Sequence, residues 1–120
     1  MSGFVFSFYS FMDFSRANFT AQEKIELLQR WVLVHSYLYY HMDISVVDDW
    51  RFDDNSHQLY GLKLEHPEAW ANARYTYAMD DFDGSTGCGY VEKLKEKERK
   101  SIIFDVNLLV NRHVFIRRNN

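Results

Sequence analysis

Tyr37-Leu38-Tyr39-Tyr40-His41-Met42-Asp43 closes one helical pattern, and Asp48-Asp49-Trp50-Arg51-Phe52-Asp53-Asp54 opens the next. Only Ile44-Ser45-Val46-Val47 separates them, a link short enough to favour an antiparallel neighbour. Upstream, Ile25, Leu28, Val32, His35, Tyr39 and Met42 step by three and four, while Leu27, Trp31, Val34 and Leu38 widen the stripe. That period marks an amphipathic helix with a broad buried face. Thr20 and Glu23 stand at capping-box spacing, so the helix is expected from Ala21 to about His41. Downstream, Asp48 or Asp49 can cap a second helix carrying Phe52, Leu59, Leu62 and Leu64. Together the two make a helical hairpin.

Further out, His66-Pro67 stops the second helix, because the residue before a proline is pushed out of the helical region. Pro67 can then open a third helix, expected from Glu68 to about Met79 and carrying Trp70, Ala73 and Tyr77. Asp80 to Gly89 holds three glycines in its last six residues and reads as a loop of special geometry. Tyr90 to about His113 reads as a last helix. Its charged front runs from Glu92 to Lys100, and its apolar back carries Ile102, Ile103, Val106, Leu109 and Val110. At the other end Phe4, Phe6 and Phe8 alternate with Val5 and Ser7, the period of a short strand or an extended arm. Such an arm can exchange between subunits. The expected fold is mainly α: a helical hairpin plus one or two further helices in one domain over residues 1–120, with an arm over 1–18 and a glycine-rich loop over 80–89.

The 120 residues are 47% apolar and 18% aromatic, enough for one core. With 17 acidic against 14 basic side chains, net −3, the chain has no broad positive field for attaching to nucleic acid. A single cysteine, Cys88, allows no internal disulfide and fits a reducing compartment, so the expected location is cytoplasmic. The apolar start, Met1 to Asp13, has no basic leader or cleavage pattern and is too short and serine-interrupted to span a bilayer.

Four aspartates crowd into the seven residues from Asp48 to Asp54, and Asp49 and Asp53, four apart, would share a helix face. Two accounts offset that repulsion. A helix N-terminus stabilises carboxylates in its first turn by about 0.3–1 kcal/mol each. A flat cationic ring does so too: it can stack on Tyr39, Tyr40 or Phe52 at roughly 0.5–2 kcal/mol per contact. In the second account the acids accept hydrogen bonds from the ligand's hydroxyl and amide donors.

The stretch from His35 to Glu68 resembles domain Ia of bacterial NAD-dependent DNA ligases, the helical hairpin that holds the nicotinamide half of NAD+. The family pattern is an aromatic pair, an aspartate, a proline-bearing turn, Asp-x-x-Tyr-Asp and a closing His-Pro-Glu. Here these are Tyr39-Tyr40, Asp43, Asp49-Trp50-Arg51-Phe52-Asp53 and His66-Pro67-Glu68. The resemblance implies that Tyr39, Tyr40, Asp49, Phe52 and Asp53 grip NAD or nicotinamide mononucleotide. Two departures stand out: Phe52 replaces a tyrosine, losing a hydroxyl, and Ser45-Val46-Val47-Asp48 replaces the prolines. The likeness covers about Glu23 to Trp70. Ligases also need a Lys-x-Asp-Gly lysine to take the nucleotide covalently; Asp81-Phe82-Asp83-Gly84 has an aspartate there, which cannot form the phosphoramide. The hairpin together with residues 77–87 is also similar to short ligase-like proteins of phages of Gram-positive bacteria, a likeness of lineage rather than chemistry.

Other patterns say less. Asp81, Asp83 and Gly84 have calcium-loop spacing, but Met79 and Tyr90 would fill the first and last ligand positions. The histidines offer no metal pattern; His35 reads as a core or cleft residue. Ser85, Thr86 and Gly87, ahead of a helix, are a candidate phosphate-binding loop without a P-loop lysine, against the plainer reading of a connector. No catalytic residue is assigned. Two functions are expected to compete: a non-catalytic binder of a nicotinamide or NAD-type nucleotide, and a protein-interaction module that uses the hairpin as a scaffold against a host or phage protein.

Overall fold

A computed structural model of the chain describes residues 18–85 and 89–118, with side chains as far as Arg112. The expected N-terminal arm, and Thr86, Gly87 and Cys88, lie outside the described residues. The described chain is mainly helical and contains no strand. Its elements are α1 (Ala21–His41), α2 (Asp49–Glu65), α3 (Pro67–Asn72), α4 (Thr76–Met79), a 3-10 turn (Val91–Lys93) and α5 (Glu96–Arg118).

α1 begins where its cap says it should. The Thr20 hydroxyl accepts the Glu23 N–H at 3.1 Å, and the Glu23 carboxylate accepts the Thr20 N–H at 3.0 Å. These bonds hold the Glu23 carboxyl below its ordinary range. The helix ends on a turn rather than a glycine: Asp43 adopts φ +53°, and the Leu38 carbonyl accepts the N–H groups of Met42 and Ile44. Aspartate visits the left-handed region more readily than most residues.

α1 is the central element, with α2, α3 and α5 packed on it. Ile25, Leu28, Trp31, Val32, Leu33 and Val34 are wholly buried, so its middle is covered on nearly every side. α2 turns back along it, with Leu59 buried between them. Trp70, Met79, Phe82, Tyr90, Leu94, Ile102 and Val106 complete one core. Arg30 ties α1 to α5: its guanidinium donates twice to the Asp105 carboxylate, at 2.6 and 3.1 Å, and also to the hydroxyls of Tyr75 and Ser101. No helix among the described residues is long and apolar enough to cross a membrane.

Several expectations need correction. Tyr39 and Met42, expected on the buried stripe of α1, are exposed, because they stand at its end where the chain turns away into the link. The helix expected over Glu68–Met79 is two, α3 and α4, broken at Ala73, whose ψ of 151° is extended. Side chains of α1 fill the break: Glu26 accepts the Arg74 N–H at 3.0 Å, and Gln29 accepts the Tyr75 N–H at 3.2 Å while donating to the Thr76 hydroxyl at 2.9 Å. The last helix starts at Glu96, not Tyr90. Buried Leu94 is extended, and the Tyr77 hydroxyl accepts the Lys95 N–H at 3.0 Å, separating the 3-10 turn from α5. Leu64, expected on the apolar face of α2, is exposed because it stands five residues from buried Leu59, about 140° around the helix.

Candidate functional site

The last turns of α1, the link to α2 and the first turn of α2 enclose a cleft of about 250 Å³. α1 contributes His35, Tyr39 and Tyr40; the link contributes Ile44 to Val47; α2 contributes Asp49, Phe52 and Asp53; and Ser85 closes the far side. The five hairpin residues singled out in the sequence therefore converge on one concavity. The cause is local: positions 35 and 39, and again 49 and 53, are one helical turn apart, and the short link faces the two turns toward each other.

The rings stand at the mouth instead of packing beneath it. Tyr39 is 52% and Tyr40 44% exposed, and the two meet edge to face at 5.0 Å. Phe52 is half-buried and lies 5.7 Å from the Trp31 ring, which in turn lies 4.3 Å from the ring of His35. The cleft thus has an aromatic rear wall backed by the core. Asp49 and Asp53 are exposed at its edge, whereas Asp48 and Asp54 do not line it. Asp48 holds the N-cap position of α2, but its side chain makes no capping bond.

His35 belongs to this wall, although its place on an apolar stripe pointed no further than to core or cleft. It is 3% exposed and lines the cleft. The available signal was its position one turn before Tyr39.

Ser85 is brought to the cleft by a pinned turn. Lys63 donates to the carbonyls of Asp80 and Phe82 at 2.7 and 2.9 Å, Phe82 is buried edge to face against Tyr90, and Gly84 at φ +86° lies against Ser56, His57 and Tyr60. The Ser85 N–H and hydroxyl both donate to one oxygen of Asp83, at 2.9 and 2.5 Å. Those bonds hold the Asp83 carboxyl below its ordinary range. Burial, aided by neighbouring Asp81, pushes the Tyr90 phenol up to about 12.

Among the described residues no lysine or arginine lines the cleft, and no cluster of three or more His, Cys, Asp or Glu side chains is arranged to hold a metal ion. His41 faces away, paired with Glu92 at 2.5 Å and stacked on Tyr37. Its bond ties the end of α1 to the 3-10 turn.

No family model, curated protein or solved structure matches the chain. What the cleft can hold follows from its own chemistry. Ring faces attract a flat cation, and carboxylates at the edge accept hydrogen bonds from hydroxyl or amide donors.

Proposed function

We propose that the protein is a non-catalytic binder of a nicotinamide or NAD-type nucleotide. In this reading it uses a ligase-like hairpin, of phage type, to sequester the ligand or present it to a partner in the host cytoplasm. One observation carries the proposal: the exposed rings of Tyr39 and Tyr40, the ring of Phe52 and the carboxylates of Asp49 and Asp53 share one cleft. A pyridinium ring answers both features at once. It stacks like an arene and it neutralises the acids. The volume of about 250 Å³ lies just below the usual 300–1,000 Å³ of small-molecule pockets, which suits the nicotinamide end more than a whole dinucleotide.

Calorimetric titration with nicotinamide mononucleotide, NAD+ and ADP-ribose tests the reading. The first two should bind more tightly than ADP-ribose, which lacks the ring, and Asp53→Ala should weaken their binding by roughly tenfold, as loss of a hydrogen bond to a charged group does. Equal uptake of ADP-ribose would refute it.

A second reading has an observation of its own. Trp50 is 61% exposed on the first turn of α2, with the Arg51 guanidinium 5.2 Å over its ring, and Leu64 is exposed two heptads further along the same helix. Exposed tryptophan beside arginine is typical of protein-binding hot spots. As an interaction module, the protein would dock on a host or phage protein through this face, without a nucleotide. Trp50→Ala would then abolish partner binding, whereas on the first reading it leaves nucleotide affinity unchanged.

A further inference from the structure

Resting on the nicotinamide reading of the cleft, we infer that the preferred guest is a phosphate-free pyridinium nucleoside, and that the cleft disfavours its 5′-phosphorylated forms. Among the described residues the acidic and basic side chains that line the cleft have one sign, and Lys63, which attracts Asp83, does not line it. Asp49 and Asp53 line it, Asp83 is bonded directly to lining residue Ser85, and no lysine or arginine lines it among the described residues. A pyridinium nucleoside carries one positive charge. Adding a phosphate changes that by about two units at neutral pH and turns the guest into a net anion.

Among the described residues, the donors of the candidate phosphate-binding loop are already engaged. The N–H and hydroxyl of Ser85 both point to the Asp83 carboxylate. The N-terminus of α2, a 17-residue helix, is a place where phosphates commonly bind, but its cap position and first turn carry Asp48 and Asp49. Although the Asp48 side chain makes no capping bond, these carboxylates offset the partial positive charge of that helix end and would repel a phosphate brought to it. An incoming phosphate would meet acids at both the α2 wall and the Ser85 wall. A riboside without phosphate meets the same acids as hydrogen-bond acceptors for its hydroxyls.

The experiment is calorimetric titration of the full chain with nicotinamide riboside and with nicotinamide mononucleotide, at about 50 mM and about 500 mM salt, where screening differs several-fold. The expected result is a riboside affinity higher than the mononucleotide's by at least roughly tenfold, or about 1.4 kcal/mol, at low salt. The gap should narrow several-fold at high salt. Asp83→Asn should strengthen mononucleotide binding several-fold while leaving the riboside little changed. Riboside binding with equal or tighter mononucleotide binding would overturn this inference and leave the nicotinamide reading standing. Binding of neither would remove both.

Discussion

The side chain of Gln29, wholly buried in α1, accepts the backbone N–H of Tyr75 at 3.2 Å. Its amide group simultaneously donates to the Thr76 hydroxyl, so one carboxamide answers the corner where α3 gives way to α4. Gln29→Leu keeps the bulk and deletes both bonds, leaving a buried N–H unpaired. Such groups cost about 1–3 kcal/mol. We expect a loss of about 2 kcal/mol in urea unfolding with an unchanged slope; a change within about 0.5 kcal/mol, typical of surface sites, would show that the corner is held by other contacts.

Gly84 is required by its backbone and by its surroundings together. At φ +86°, a side chain is strained, and a Cβ would lie 3.2 Å from the Cβ of Tyr60. Gly84→Ala should lower stability by about 1–2 kcal/mol, the usual penalty of the left-handed region. Thermal unfolding measures it, and an unchanged midpoint would contradict the tight approach of this turn to α2.

Alkaline pH should weaken the fold through Tyr90. Its phenol is pushed up from 10.0 to about 12 in the folded chain, so its stabilising share is complete below pH 10 and is lost as pH rises through about 12. Between these values the unfolded chain releases the proton first, and stability falls. Tyr77, raised chiefly by burial and further by its bond to Glu98, acts in the same direction. Urea midpoints across this range should decline, and Tyr90→Phe should flatten the decline; a slope unaltered in that variant would exclude Tyr90 as its source.

Arg30 donates to α5 and to Tyr75 in a planar fork that lysine cannot reproduce. Arg30→Lys should cost about 1–2 kcal/mol despite keeping the charge. A double-mutant cycle with Asp105→Asn should return a coupling of about 1 kcal/mol, within the range for contacting pairs. Zero coupling would reduce the pair to proximity.

The legible parts of this fold are those whose causes are neighbours in sequence. The start of α1 follows from Thr20 and Glu23, three residues apart, and the end of α2 from His66-Pro67. The assembly of rings and acids around the cleft was legible for the same reason, since Tyr39 and Tyr40 are adjacent and Asp49 and Asp53 are one helical turn apart. The break at Ala73 was not, because Glu26 and Gln29 lie 48 and 46 residues from the amides they bind. Nor was the delayed start of α5, fixed by the Tyr77 hydroxyl 18 residues before Lys95. Leu64 is a different case: it is out of phase with the stripe of Phe52, Leu59 and Leu62, so its apolar character alone does not place it on the buried face. His35 was ambiguous for a related reason: a histidine on an apolar stripe reads the same whether a core or a cleft lies in front of it. Ser85 was picked out as a donor, but its commitment to Asp83 is a property of the folded turn.

The indole of Trp31 is sealed from solvent directly behind His35 and Phe52, two rings that face the cleft. Any guest that shifts either ring alters the surroundings of a native fluorophore. With Trp50 and Trp70 replaced by phenylalanine, the remaining emission would come from this one position. The protein thereby carries an intrinsic optical gauge of cleft occupancy, readable without a label.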